Sequence, residues 1–158
     1  MAYTDGSCIE GGARGGYSSV IYYNDKIVVQ LYQGYLNTTN NRMELRGVIE
    51  TLKYFKEPIK ITIVSDSQYV VNSINGKHCY KWIKDNDLSK KNLDLWFELI
   101  ELLDKHDVTL KWVKGHNDDP KNEYADLLAQ HASSCMNLPE DPINIKWNDT
   151  RNSNSKIS

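Results

Sequence analysis

The chain has 158 residues, which is enough for one domain with a substantial core and too few for two. Its hydrophobic content of 40% and charged content of 25% are ordinary for a soluble globular protein. The formal net charge of −2 gives no overall attraction to nucleic acid, so any nucleic-acid interface must depend on local basic patches. No apolar run approaches the roughly 18 residues that a membrane span requires, and no secretion signal is visible.

The cysteines, Cys8, Cys79 and Cys135, are odd in number and lack the spacing of metal ligands. This usage favours reduced thiols over a zinc site or a disulfide framework. We therefore expect a cytoplasmic protein.

The first part of the chain has the pattern of three antiparallel strands. A short strand at 2–5 precedes two runs rich in β-branched and aromatic residues, at 17–23 and 27–33. Asn24 and Asp25 lie between those two runs and suit a tight turn. The pattern predicts an antiparallel meander.

Helices and strands alternate in the next part. The cap-forming residues 38–41 precede apolar residues at helical spacing, which predicts a first helix. An alternating strand over 59–63 ends near Asp66, and a second helix follows at once. A third helix is capped by Asn92. These units after a meander indicate an α/β fold.

A last strand at 108–113 and a last helix at about 121–136 complete the pattern. We expect a mixed five-stranded sheet, with an antiparallel meander and parallel strands, flanked by helices on both faces. Beyond this point the chain turns polar. The expected organisation is one domain over 1–136 and a polar, mobile tail over 137–158.

Four acidic residues each lie in a distinctive short frame. These are Asp5 in TDGSC, Glu44 in NNRMEL, Asp66 in SDSQYV and Asp126 in NEYAD. The predicted elements bring Asp5 and Asp66 to the ends of neighbouring strands, and Glu44 faces the sheet from the first turn of its helix. Like charges at close range repel, so gathered carboxylates usually have cations between them. This ligand type suits Mg²⁺ or Mn²⁺.

Each acid alone has an ordinary structural explanation. Asp5 before a glycine can be a turn residue, and Glu44 near a helix start can be a partner of the helix dipole. Asp66 can be an N-cap, and Asp126 can lie on a solvated helix face. Only the joint presence of the four frames favours a shared site.

In this order the four frames resemble the type 1 ribonuclease H family, over residues 3–136. The resemblance implies an endonuclease that hydrolyses the RNA strand of RNA–DNA hybrids and leaves 5′-phosphate and 3′-hydroxyl ends. It implies two Mg²⁺ ions, with Mn²⁺ as a substitute, held by Asp5, Glu44, Asp66 and Asp126. It also implies a monomer that does not bind a membrane.

His116 lies in a loop that resembles the family's mobile histidine loop. The resemblance implies a catalytic role in proton transfer or product release. An unshifted imidazole titrates near neutrality, which suits that work. The alternative is a solvated loop histidine.

The resemblance also implies substrate contacts. In the family, small polar residues contact the 2′-hydroxyls of the RNA strand in its shallow minor groove. The matching residues here are Gly6, Ser7, Cys8, Asn40, Asn41 and Gln68. Thr39 and Asn92 match positions that grip a phosphate of the DNA strand. Asn40 and Asn41 can alternatively serve as helix caps only.

The segment 77–91 resembles a shortened form of the family's basic protrusion, which supports the hybrid away from the cut. The residues assigned to binding there are Lys81, Trp82, Lys84, Lys90 and Lys91. The alternative is a solvated helix face, since Asp85 and Asp87 dilute the charge. Trp82 could stack against a sugar or fill the core.

Besides the shortened basic segment and the short lead-in before Asp5, two features depart from the family pattern. Residues 9–16 replace the frequent Gly-Asn-Pro-Gly stretch, and Asn37 stands where many members carry a basic residue. Two other functions remain open: a hybrid-binding module without activity, and another metal nuclease of the same fold. All four acids are present, which favours catalysis.

Overall fold

The computed structural model describes residues 1–87, 89–115 and 118–142. Five strands form one sheet: β1 (Ala2–Ile9), β2 (Arg14–Tyr23), β3 (Lys26–Leu36), β4 (Lys60–Ser65) and β5 (Asp107–Trp112). Their order across the sheet is β3-β2-β1-β4-β5. The β1–β2 and β2–β3 pairs are antiparallel, whereas β1–β4 and β4–β5 are parallel. The predicted mixed sheet is confirmed.

The described helices are α1 (Asn40–Tyr54), α2 (Gln68–Asn75), α3 (His78–Lys84), α4 (Leu93–Lys105) and α5 (Pro120–Ser133). Helix α3 lies within the segment 77–91, where the sequence predicted no separate helix. Thr39 and Ser67 cap α1 and α2, because their hydroxyls accept hydrogen bonds from Arg42 N and Val70 N. No helix within the described ranges is long and apolar enough to cross a bilayer.

The turn between β2 and β3 forms where the sequence predicted it. Asn24 and Asp25 have φ values of 50° and 62°, a left-handed conformation that Asn and Asp tolerate better than most residues. β1 and β3 are both longer than predicted, because β1 continues to Ile9 and β3 to Leu36.

Helices pack on both faces of the sheet. A Cβ on Gly6 would overlap the backbone of α1 at Glu44, so α1 lies directly against this face of β1. Gly16 pairs with Ser7, which places it on the opposite face, and a Cβ there would lie 2.6 Å from the Ala129 carbonyl of α5. Close contact on both faces fixes the helices around the centre of the sheet.

The main core lies between the sheet and the helices α1 and α4. Its fully buried members include Leu45, Val48, Ile49, Leu52, Ile63, Leu95, Trp96 and Leu99. Burying one such large apolar side chain contributes about 1.5–3 kcal/mol. This core holds the start of α1 in a defined position against β1.

The C-terminal residues that follow α5 belong to the packed body. The sequence predicts a mobile tail from residue 137, but the Asp141 side chain is buried and is paired with Arg42. Leu36 N donates to the Pro139 carbonyl at 2.8 Å. The packed body therefore extends past residue 136 to Asp141. The rest of the predicted tail lies outside the described residues.

Candidate active site

Asp5 and Asp66 come from neighbouring parallel strands. β1 and β4 pair with Tyr3 opposite Val64, and continuing this register brings Asp5 level with Asp66, just after β4 ends. The two carboxylates therefore emerge side by side. Asp5 lies within its strand, and not at the strand end that the sequence predicted, because β1 continues to Ile9.

Glu44 reaches this point from the first turns of α1, the helix that Gly6 allows to approach β1. Asp5, Glu44 and Asp66 each offer an oxygen within 4.8 Å of those of the other two. Asp5 is 3% exposed and Glu44 is 8% exposed, whereas Asp66 is half-buried. Three carboxylates thus meet where water is scarce.

Burial and repulsion make ionisation of this cluster costly. Burial raises the pKa of Asp5, and the charges of Glu44 and Asp66 raise it further. Burial also raises the pKa of Glu44 and that of Asp66. A divalent cation would favour the ionised form of all three groups.

The donor set fits a hard divalent cation. Oε2 of Glu44 is buried and has no hydrogen-bond partner among the described residues. A buried polar atom without a partner carries a desolvation cost of about 1–3 kcal/mol, and more when it is charged. Carboxylate oxygens are ligands that Mg²⁺ and Mn²⁺ prefer. The cluster can therefore hold such an ion.

Asp126 lies on α5 at the side of the cluster. It is half-buried, and Gln130 donates a hydrogen bond of 3.0 Å to its carboxylate. Its negative charge raises the pKa of Glu44 and that of Asp66. This effect is smaller than the effect of burial on the same two groups. Asp126 is thus within electrostatic reach of the cluster, although it lies outside the group of three whose oxygens are within 4.8 Å of each other.

Three further residues lie around Asp66, namely Trp112, Gly115 and Asn122. The sequence did not assign them to the site. The Trp112 indole donates to the Asp66 carbonyl at 3.1 Å. A Cβ on Gly115 would lie 3.1 Å from Asp66 Oδ2. Asn122, which is 3% exposed, opposes the effect of burial on the pKa of Asp66 by hydrogen bonding. One sequence signal was available, because Asn122 precedes Asp126 by one helical turn.

His116 lies outside the described residues, as does its neighbour Asn117. Its proposed role in proton transfer or product release stays a prediction.

A groove of about 430 Å³ lies between the start of α1 and the connection from α3 to α4. Its lining residues are Asn41, Tyr69, Trp82, Ser89, Lys90, Lys91 and Asn92. Most of these were predicted substrate contacts, whereas Tyr69 and Ser89 were missed. Lys81 and Lys84 are exposed on α3 and do not line the groove.

Trp82 serves both the core and the groove. It meets Trp96 edge to face with ring centroids 5.9 Å apart, and the Lys90 ammonium lies 5.4 Å from its ring centroid. The sequence predicted that Asn92 caps α4, but its side chain forms no capping hydrogen bond. It donates instead to the Tyr69 hydroxyl at 3.2 Å, at the side of the groove.

The predicted ribose-reading residues lie on three elements. Gly6, Ser7 and Cys8 are in β1, Asn40 and Asn41 are exposed at the start of α1, and Gln68 is exposed at the start of α2. Burial raises the pKa of Cys8 to about 11, so the group is a neutral thiol at pH 7.

The comparisons with known proteins agree with this fold. The family model for RNase H matches residues 1–134. A ribonuclease H of Nitratidesulfovibrio vulgaris is 40% identical over 145 residues, which cover 89% of this chain and 92% of the relative. A ribonuclease H of Pseudoalteromonas atlantica is 44% identical over 143 residues, with 88% and 93% covered.

Among solved structures, this chain is similar to LC9-RNase H1, described as a type 1 RNase H with the type 2 active-site motif. The TM-score is 0.74 at 31% identity, and the match covers 84% of this chain and 70% of the other. The fold is thus that of an RNase H-like protein. The chain belongs to the RNase H family.

Proposed function

We propose that this chain is an endonuclease that hydrolyses the RNA strand of RNA–DNA hybrids. The observation that carries the proposal is the cluster of Asp5, Glu44 and Asp66, which three separate elements bring together in a member of the RNase H family. Relatives of similar length are named ribonuclease H. Sequence similarity and site chemistry therefore support the same activity.

The proposed cofactor is Mg²⁺, as two ions, with Mn²⁺ as a substitute. When bound, such ions activate water as a nucleophile and neutralise the leaving oxygen in a displacement at phosphorus. Asp5 is central in the cluster and would contact both ions. Glu44 and Asp66 would complete one site, and Asp126 on α5 would complete the other. The chain's own part is to hold these oxygens in place before substrate arrives.

Substrate recognition is proposed to depend on the 2′-hydroxyl of the RNA strand. The exposed amides of Asn41 and Gln68 and the thiol of Cys8 can form hydrogen bonds with ribose. The groove beyond them would take the DNA strand, with Thr39 and Asn92 at a phosphate. Trp82 lines the groove and could stack against a sugar, and Lys90 and Lys91 offer positive charge.

Modified substrates test this proposal without changing the protein. A hybrid with 2′-O-methyl groups around the target phosphate should resist cutting, because the methyl group removes the donor and adds bulk. An unpaired buried partner costs about 1–3 kcal/mol, which is up to roughly a hundredfold in rate. The measurement is cleavage of labelled hybrid, methylated hybrid, duplex DNA and duplex RNA, each with and without Mg²⁺. Efficient cutting of methylated hybrid or of duplex DNA would contradict the proposal.

The same assay separates the alternatives. A hybrid-binding module without activity would bind hybrid and cut nothing in Mg²⁺. Another metal nuclease of this fold would cut duplex DNA. The monomeric state and the cytoplasmic location expected from the sequence stay predictions.

The basic segment can be tested by charge reversal. Changing Lys81, Lys84, Lys90 and Lys91 to Glu should weaken hybrid binding, and each lost phosphate contact should lower the salt slope by a little under one unit. The matched control reverses four exposed lysines at the other end of the molecule, namely Lys26, Lys56, Lys60 and Lys105. Equal salt slopes for the two variants would show that the segment is only a solvated face.

A further inference from the structure

A buried arginine joins three segments of the chain beside the groove. The Arg42 guanidinium donates to both carboxylate oxygens of Asp94, in the first turn of α4, at 2.9 and 2.8 Å. It also donates to both oxygens of Asp141, near the C-terminus, at 2.9 and 3.0 Å. Arg42 is 2% exposed and Asp141 is 1% exposed, so the charge-assisted bonds between them are shielded from water, whereas Asp94 is partly exposed.

Asp141 is itself fixed from several sides. Its backbone N donates to the Leu36 carbonyl at 2.9 Å, at the end of β3. The Thr38 hydroxyl donates to Asp141 Oδ2 at 2.6 Å, and Arg46 lies 3.6 Å from the other oxygen. The C-terminal segment thus ties the end of β3 to the start of α1.

The two walls of the groove both depend on Arg42. Asn41, which immediately precedes Arg42, lines the groove from α1, and Asn92 lines it from the start of α4. Arg42 Nη1 lies 3.4 Å from Asn92 Oδ1 and is also bonded to Asp94, two residues further on. One guanidinium therefore spans the two walls.

We propose that Asp141 is a positioning residue for hybrid binding, which acts by holding Arg42 and so setting the separation between Asn41 and Asn92. The inference rests on the proposed function. Phosphate and sugar contacts fix the register of a protein on nucleic acid, so the contacting groups must be held at matching distances.

The direction in which hybrid affinity changes when Asp141 is neutralised distinguishes a positioning role from a purely electrostatic one. Asp141 is a negative group next to a groove proposed to hold a polyanion. If it acted only through its charge, neutralising it would strengthen binding. If it positions Arg42, neutralising it weakens binding, because an amide offers one oxygen acceptor where the guanidinium now meets two.

The experiment uses Asp141→Asn in the full chain. Hybrid cleavage in Mg²⁺ gives KM and kcat, and hybrid binding in EDTA at several salt concentrations gives Kd and the salt slope. We expect KM and Kd to rise about three- to tenfold, as for the loss of one hydrogen-bonded contact. The salt slope should fall, and kcat should stay near wild type.

The control for a simple loss of stability is Ile61→Val. Ile61 is 6% exposed near the start of β4, at the end of the strand away from Asp66, and the change removes one buried methylene. This variant should lose stability and keep the wild-type KM. An equal rise in KM for Ile61→Val would show that Asp141 acts through stability alone and would overturn the proposal.

Thr38→Val is a second variant that keeps every charge and removes only the hydroxyl that donates to Asp141. It should raise KM in the same direction by a smaller factor, and it decides the matter if Asp141→Asn does not fold. Wild-type or tighter hybrid binding by the folded variant would refute the proposal. Failure of the proposed function is a separate result, because it appears as wild-type protein that neither binds nor cuts hybrid.

Discussion

Two buried charge clusters begin in the same turn of α1 and are balanced in opposite ways. Arg42 meets Asp94 and Asp141, so opposite charges are paired. Glu44, two residues later, meets Asp5 and Asp66, so like charges are gathered. Burial alone would raise the pKa of Asp141, but Arg42 and Thr38 outweigh it and lower that pKa. In the acidic cluster, burial and repulsion both raise the pKa of Asp5.

The difference separates a structural cluster from a reactive one. The Arg42 cluster supplies its own counter-charges and gains nothing from an added ion. The acidic cluster is left uncompensated, which costs stability and provides a binding site for cations.

Asp66→Asn should reduce cleavage in Mg²⁺ to less than about a tenth of wild type, because an amide cannot replace a carboxylate's charge at a dication. Thermal stability of the metal-free variant should hold or rise, since one repelling charge is gone. Activity assays and thermal unfolding in EDTA measure the two effects. Asp104→Asn, at an exposed carboxylate of α4, is the matched control and should change neither. Retained activity in Asp66→Asn would remove Asp66 from the metal site.

Arg42→Met should lower the free energy of unfolding, whereas Asp66→Asn should leave the stability unchanged or raise it. Removing one partner of a buried ion pair leaves uncompensated charge and costs about 3–5 kcal/mol. Chemical denaturation at pH 7 measures the free energy of unfolding. Asp141 would then lie buried without its cation, so the loss should shrink in acid, where its carboxylate becomes protonated. A loss below about 1 kcal/mol, the range of exposed pairs, would show that the cluster is not buried in solution.

The pH dependence of the metal-free protein should reveal the acidic cluster. The folded-state pKa of Asp5, Glu44 and Asp66 is raised, so above about pH 4 the folded chain holds more protons than the unfolded chain. Their contribution to the free energy of unfolding therefore falls as pH rises.

Mg²⁺ should reverse this trend. Binding to the ionised cluster stabilises the folded state by about 2.7 kcal/mol at a hundred times Kd, so the melting temperature should rise more at pH 8 than at pH 5. Glu44→Gln is the control and should show a weaker pH trend and a smaller Mg²⁺ effect. An equal Mg²⁺ effect at both pH values would argue against a site built from these carboxylates.

Gly115→Ala should give the smallest effect of the set. The added Cβ would lie 3.1 Å from Asp66 Oδ2, so the carboxylate must move by a few tenths of an ångström. We expect a several-fold fall in apparent Mg²⁺ affinity with little change in melting temperature. Activity titrated against Mg²⁺ measures the shift. Wild-type Mg²⁺ dependence would show that Asp66 has freedom to adjust, unlike the paired carboxylates around Arg42.

The sequence predicted the strand and helix order, the hairpin turn and the acidic residues of the site. Period-two and helical patterns and turn residues such as Asn24 are local signals, so they can be read without knowledge of the fold. The four frames around the acids also predicted the family. The separation of α3 from the basic segment was missed, because His78–Lys84 is short and carries no clear apolar period.

The tertiary structure decided what the local signals could not. The sequence predicted a tail from residue 137, because Pro139 and Pro142 precede an end rich in Asn, Ser and Lys. The burial of Asp141 depends on Thr38 and Arg42, which are about a hundred residues away in the chain. Likewise, the approach of Asn122 and Gly115 to Asp66 depends on how α5 and β5 pack. Arg42 and Glu44 are two residues apart, but distant residues of opposite charge neutralise the first and distant residues of like charge surround the second. Only the packed fold brings those distant residues into place.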